Sequence, residues 1–225
     1  MPKPVIIEAR NVKKAFGTTH ALGGIDLSVA AGEVLAIMGP SGSGKSTLLH
    51  SLAAITAIDE GEIYLNNLRI DTLSDEKRSV LRRTTFGFVF QFSQLVPELT
   101  AEDNVALPLL LNGVNREQAY ATANHWMNNV GLKGKAARLS GELSGGEAQR
   151  TAIARAMIIK PTVIFADEPT GSLDSLNSEH IMDLFVQTAK DHGTTVILVT
   201  HEPMIAAYAD REVTVRDGQI VRSSR

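Results

Sequence analysis

Three short stretches gather glycines, hydroxyls, a lysine and carboxylates in arrangements suited to handling an anion and a cation. In GPSGSGKST, the residues Gly39, Pro40, Ser41, Gly42, Ser43, Gly44, Lys45, Ser46 and Thr47 follow an apolar run and precede a helical pattern. Glycines at both ends of such a loop let backbone N–H groups close around a β-phosphate, and Lys45 adds a point charge between β- and γ-phosphates. Ser46 supplies a hydroxyl for Mg2+, and Thr47 one for the α-phosphate. The second stretch, VIFADE, delivers Asp167 and Glu168 at the C-terminal edge of an apolar strand, the usual ligand end of a parallel sheet. Asp167 is placed to hold Mg2+ through water, and Glu168 to polarise an attacking water, which suits a hydrolase better than a transferase. The third, LSGGE at Leu143 to Glu147, opens a helix with Ser144, Gly145 and Gly146 but has no lysine, histidine or carboxylate pair beside it. A helix N-terminus carries roughly half a positive charge and free N–H groups that suit an anion, but a plain serine-capped helix has them too, so this stretch alone leaves open what it binds.

Hydrophobic periodicity and turn residues outline the strands and helices around these stretches. Short β-branched runs, VIIEARNV, IDLSVAAGEVLAIM and GEIYLNNLRI, imply an antiparallel β layer leading into a buried strand, with a hairpin at Asn66-Asn67. KSTLLHSLAAITA, Lys45 to about Ala57, has helical apolar spacing directly behind the glycine-rich loop. Ser74 to Arg83 reads as an exposed helix with a serine cap, early acids and late bases. After the strand GFVFQ, residues from about Phe92 to Lys160 are nearly all helical in pattern, with a capping box expected at Asn115 and Gln118. VIFAD and TTVILVT, separated by a helix that closes on Gly193, imply a parallel sheet. EVTVRDGQIV reads as a hairpin turning at Asp217-Gly218. Trp126 and the methionines read as packing residues.

Composition sets the outer limits. A chain of 225 residues, 44% apolar and 21% charged, suits one sizeable soluble core. A formal net charge of −3 gives no electrostatic ground for a nucleic-acid partner. No apolar run reaches the length of a membrane span, and VALPLLL, Val105 to Leu111, is interrupted by Pro108. The N-terminus lacks the apolar stretch of a secretion signal, and without cysteines there are no disulfides, so a cytoplasmic chain is expected.

The lysine loop, Asp167-Glu168 and the LSGGE ahead of them together resemble the ATP-binding cassette (ABC) ATPases over essentially the full chain. The resemblance implies an α/β fold: a phosphate-loop NTPase core with a mixed, largely parallel sheet, an antiparallel β layer and a helical subdomain. It implies one nucleotide-binding domain over 1–225, with the core at 1–91 and 160–225 and the helical subdomain at about 92–159. ATP and Mg2+ are the implied ligands. Two copies would pair head to tail, the LSGGE of one covering the ATP of the other with Ser144, Gly145, Gly146 and Glu147. By the same resemblance Gln91 matches the glutamine that contacts Mg2+ or the attacking water, and His201 the histidine that contacts the γ-phosphate and helps hold Glu168. Asp174, in GSLD, matches the loop linking the two sites across the dimer, and Phe16 the aromatic that stacks on adenine, often a tyrosine in relatives. Glu147 departs from the more frequent glutamine, and ARLSGE lacks the proline many relatives carry there.

LVPELTAEDNVALPL, ADEPTGSLD and the short tail after DGQIV resemble one branch of the family, which includes lipoprotein-release, macrolide-export, peptide-antibiotic-resistance, haem-export and cell-division ATPases. That likeness implies a separate membrane permease subunit and a peripheral place on the cytoplasmic face of the membrane. The implied work is ATP-driven export or extraction of a hydrophobic or amphipathic compound: haem, antibiotic, peptide or lipoprotein. Two alternatives stay open on sequence: a cell-division-type ATPase that controls an extracytoplasmic enzyme without moving cargo, and a soluble assembly ATPase.

Overall fold

In chain order the elements are β1 (Val5–Phe16), β2 (Thr19–Ala30), β3 (Val34–Met38), α1 (Lys45–Leu52), β4 (Glu60–Leu65), β5 (Leu68–Arg69), α2 (Asp75–Thr85), β6 (Phe86–Phe90), α3 (Ala101–Leu111) and α4 (Arg116–Asn129). A 3-10 turn, Ser140–Glu142, leads to α5 (Gly145–Met157), β7 (Val163–Asp167), α6 (Ser175–Asp191), β8 (Thr195–Val199), α7 (Pro203–Ala206), β9 (Arg211–Arg216) and β10 (Gln219–Ser224). The computed structural model describes residues 3–224. It falls into two units, residues 1–82 with 195–225, and residues 83–194.

In the first unit, β2, β1, β4 and β5 form the expected antiparallel layer. Asn66 and Asn67 both take positive φ, 49° and 64°, the left-handed geometry of a tight hairpin. The run IDLSVAAGEVLAIM breaks at residues 31–33, so that β2 stays in this layer while β3 lies parallel between β8 and β9. β10 returns antiparallel on β9 after Asp217 and Gly218, both at positive φ. Every residue of β8 and the first four of β3 are buried, as strands covered on both faces must be. The helix α1 buries Leu48, Leu49 and Leu52, each contributing about 1.5–3 kcal/mol. It ends at Leu52 rather than continuing to Ala57. Ala54 turns to φ 54°, the N–H groups of Ile55 and Thr56 both reach the His50 carbonyl, and Arg82 binds the Ala54 carbonyl, which redirects the chain toward β4. The exposed helix α2 has no buried residue, as its charge pattern implies.

In the second unit, β6 and β7 pair in parallel from Phe86↔Val163 to Phe90↔Asp167, with Phe86 packed edge-on against Phe165 at 5.0 Å. The segment 92–160 is less uniformly helical than its pattern implies, because residues 91–99 and 131–139 are turns. Asn104, fully buried, ties the first of these: its side chain accepts from Val96 N and donates to the carbonyls of Val96, Leu99 and Thr100. A capping box of Thr100 and Asp103 then starts α3. At α4, Asn115 caps Gln118 N at 2.9 Å. Gly193, at φ 64°, follows the end of α6 as expected. Trp126, Met127, Met157 and Met182 are buried, whereas Met204 in the first unit is 60% exposed on the four-residue α7 and packs no core. Among the described residues no helix is long and apolar enough to cross a membrane.

Candidate functional site

Within the first unit, β3 runs into the glycine-rich loop and α1 carries it away. Gly39, at φ 145°, and Gly44, at φ 103°, tolerate no side chain: a Cβ would stand 2.1 Å from Val215 O and 2.3 Å from Ala21 O respectively. The loop is thus clamped against β2 and β9, and the hairpin turn reinforces it, since Gly218 N donates to Ser43 O (3.0 Å) and Gly23 N to Gly218 O (2.8 Å). Lys45 is 8% exposed, and its Nζ donates to Pro40 O at 2.8 Å, drawing the ammonium across the loop. Ser43 Oγ is buried without a protein partner, while Ser41, Gly42 and Ser46 lie exposed and Thr47 half-buried. The N-terminus of α1 has no side-chain cap. A clamped loop, a buried hydroxyl, a lysine laid across and an uncapped helix N-terminus together fit a nucleotide phosphate chain. His201 follows β8 at the same end, where Thr200 N donates to Ile37 O (3.2 Å) and Glu202 N to Thr200 Oγ1 (3.1 Å). Phe16 is 55% exposed with Lys14 Nζ 5.4 Å from its ring centroid, so it is a surface aromatic and not a core residue.

Within the second unit, the parallel register of β6 and β7 sets Gln91 beside Glu168, each one residue beyond the paired Phe90 and Asp167. Gln91 Nε2 donates to Gly171 O (3.2 Å), and Ser172 Oγ to Gln91 O (2.7 Å), so the glutamine is bound to the turn that follows Glu168. Glu168 sits at φ 48°, a left-handed position that costs a non-glycine residue about 1 kcal/mol or more, with Gly171 N donating to its carbonyl. Such strain is maintained where the surrounding structure fixes a side chain in place.

The LSGGE segment begins α5 with Ser144 as its cap. Ser144 Oγ accepts from Glu147 N (3.3 Å), and the Glu147 carboxylate accepts from Ser144 N (3.0 Å). Lys135 Nζ, 2.9 Å from the other Glu147 oxygen, together with the Ser144 N–H pulls this carboxyl down to about 2. Asp174 caps α6 through Asn177 N (3.0 Å) and also accepts from Asn177 Nδ2 (2.7 Å), bonds that hold its carboxyl below the usual range. The turn around Asp174 lies against LSGGE: a Cβ on Gly145 would be 3.2 Å from Leu173, and one on Gly146 3.6 Å from Asn177.

Two residues that the sequence reading passed over tie these parts together. Gln149, fully buried on α5, donates to Phe90 O (3.0 Å) and Pro169 O (2.6 Å) and accepts from Ser93 Oγ (2.7 Å). It therefore links α5 to the ends of both strands that carry Gln91 and Glu168. Arg155 donates to the carbonyls of Ser93 (2.6 Å) and Gln94 (2.7 Å), two residues at positive φ just after Gln91. The signal for Gln149 was in the sequence: a polar residue on the stripe otherwise made by Ala152, Ile153 and Ala156. Arg155 offered no such signal. Among the described residues no three His, Asp or Glu converge as a metal cluster.

Residues 22–171 match the family described as ABC transporter. The chain is 44% identical over 216 residues to the lipoprotein-releasing system ATP-binding protein LolD of Aquifex aeolicus, covering 96% of each. It is 41% identical over 214 residues to the protein of the same name from Porphyromonas gingivalis, covering 95% of this chain and 98% of the other. Its fold is similar to a solved dimeric structure of the ATP-binding cassette MJ0796 in a post-hydrolysis state bound to ADP and Pi, with TM-score 0.88 and 37% identity over 98% of each chain.

Proposed function

The chain belongs to the ATP-binding cassette family and is an ATPase, and from that premise we propose that it drives lipoprotein release through a separate membrane subunit, as a peripheral protein on the cytoplasmic face of the membrane. The observation that carries this reading is the end-to-end likeness to lipoprotein-releasing ATPases. Cassettes of this kind work as dimers with a membrane subunit. On the proposed reading, two copies of this chain pair head to tail, so that each LSGGE covers the nucleotide of the other copy. ATP with Mg2+ is the substrate; the ion neutralises phosphate charge, and Ser46, Gln91 and Asp167 would hold it.

The remaining roles follow from side-chain chemistry. The loop from Gly39 to Thr47 binds phosphates through its backbone, and Lys45 adds positive charge. Glu168 accepts a proton from the attacking water, with His201 orienting both water and γ-phosphate. Phe16 stacks on adenine. Ser144, Gly145 and Gly146 present the N-terminus of α5 to the γ-phosphate held by the second copy, with Glu147 beside them in the covering segment, and Asp174 links the two sites. Hydrolysis removes the ligand the two copies share, so turnover shifts the dimer from closed to open by differential contacts. Residues of about 92–159, which hold α3, α4 and α5, form the helical subdomain, and the segment from Phe90 to Gly113 is where the membrane subunit docks.

The test is to trap tagged Glu168→Gln protein with ATP, extract native membranes in mild detergent and identify copurifying proteins by mass spectrometry. A membrane subunit with a large extracytoplasmic domain, together with retained lipoprotein, is the expected result. Soluble partners alone would refute the reading and favour an assembly ATPase.

A further inference from the structure

We infer that Lys135 is a positioning residue of the nucleotide site, which neutralises Glu147 and so keeps the N-terminus of α5 receptive to a triphosphate. This rests on the reading that Ser144 to Glu147 cover the ATP of a second copy. The problem it solves is specific to a glutamate at this position. Through its bond to Ser144 N, the Glu147 carboxylate lies on the N-terminus that must also attract a γ-phosphate. A carboxylate in the first turn stabilises a helix by the same field that draws an anionic ligand, so the two anions oppose each other. A glutamine there would carry no charge and need no counter-ion. Glutamate needs one.

Lys135 is delivered to that carboxylate by scaffold. The turn that carries it bonds internally, with Lys135 N donating to Leu132 O and Arg138 N to Lys135 O, both at 3.1 Å. The turn is also fastened to the start of α3, with Ala101 N donating to Arg138 O (2.8 Å) and Glu102 N to Ala136 O (3.1 Å). The ammonium–carboxylate pair is partly shielded, the two side chains being 30% and 15% exposed. Arg138 adds a weaker positive influence on Glu147, and Glu142 is engaged elsewhere by Leu139 N. Removing the lysine would leave a charge facing the incoming phosphates that no close partner balances. The ion pair thus acts on ligand affinity through Glu147, and Lys135 itself need not touch the nucleotide.

The test measures steady-state ATPase kinetics of the full chain with Mg-ATP for Lys135→Met, Lys135→Arg, Glu147→Gln and the double variant Lys135→Met/Glu147→Gln. Lys135→Met should raise KM for ATP about tenfold, the effect of one unbalanced charge several ångströms from the phosphates, with a much smaller change in kcat. Lys135→Arg should restore the KM, and in the Glu147→Gln background the Lys135→Met effect should vanish. KM does not depend on the fraction of protein folded, so a loss of stability in Lys135→Met would not mask the result. An unchanged KM in Lys135→Met, or an equal rise in the Glu147→Gln background, overturns the inference and leaves the pair a purely structural tie. Ser144→Arg is run alongside: wild-type turnover in that variant would instead refute the underlying reading of LSGGE as part of the nucleotide site.

Discussion

Replacing Gln149 by leucine isolates the tie between α5 and the strand ends. The side chain makes three hydrogen bonds in a fully buried position, to Phe90 O, Pro169 O and Ser93 Oγ. Leucine fills a similar volume, so the cavity contribution is small, but two carbonyls and a hydroxyl lose their partner. With about 1–3 kcal/mol for each buried group left unsatisfied, partly relieved by rearrangement, the loss is roughly 3–5 kcal/mol. In a chain of this size about 1 kcal/mol moves the midpoint by 2–4 °C, so Gln149→Leu should melt roughly 10 °C lower by calorimetry. Because the freed carbonyls adjoin Gln91 and lie just past Glu168, kcat measured well below the transition should also fall, by about tenfold or more, with KM for ATP changing less. A melting drop of under about 3 °C with unchanged kcat would refute the claim that this side chain holds the site together.

Other variants test other links. Arg155→Lys keeps the charge but loses the fork that binds two adjacent carbonyls, so kcat should fall while ATP affinity holds; equal kcat would show that the left-handed turn after Gln91 stands without it. Phe16→Ala should raise KM for ATP about three- to tenfold through lost stacking, with kcat kept, and an unchanged KM would remove Phe16 from the site. Glu147 titrates at about 2 in the folded chain against an ordinary value of 4.5. Its contribution to stability is therefore present above about pH 4.5 and lost as pH falls toward 2. The difference in urea midpoint between wild type and Glu147→Gln should shrink across that window, and a difference constant with pH would contradict the ion pair.

Much of the fold was legible because its signals are local. Asn66-Asn67 and Asp217-Gly218 specify tight turns, Ser144 and Asn115 are caps, and VIFAD and TTVILVT are too apolar for anything but buried strands. The candidate site residues lay in motifs with a local backbone demand, the positive φ of Gly39 and Gly44, although the carbonyls of Val215 and Ala21 that also exclude a side chain there are distant in sequence. What failed to show in the sequence depends on partners far along the chain. The early end of α1 is enforced in part by Arg82, and the non-helical turn from residue 91 to 99 is held by Asn104, Gln149 and Arg155, none of which local propensity can weigh. The Lys135–Glu147 pair is likewise invisible as a pattern, since its lysine stands in a glycine-punctuated turn before the 3-10 turn that leads into α5.

ATPase turnover in an equimolar mixture of Lys45→Ala and Ser144→Arg chains decides whether the nucleotide site is shared between two copies. Each alone should be nearly inactive, one lacking the phosphate-loop lysine and the other the LSGGE cap. If the site is shared between two copies, a mixed pair regenerates one intact site, and the mixture should recover up to about a quarter of wild-type turnover for random pairing and independent sites. Turnover no greater than the average of the two separate variants would contradict a shared site and place both residues in one self-contained chain.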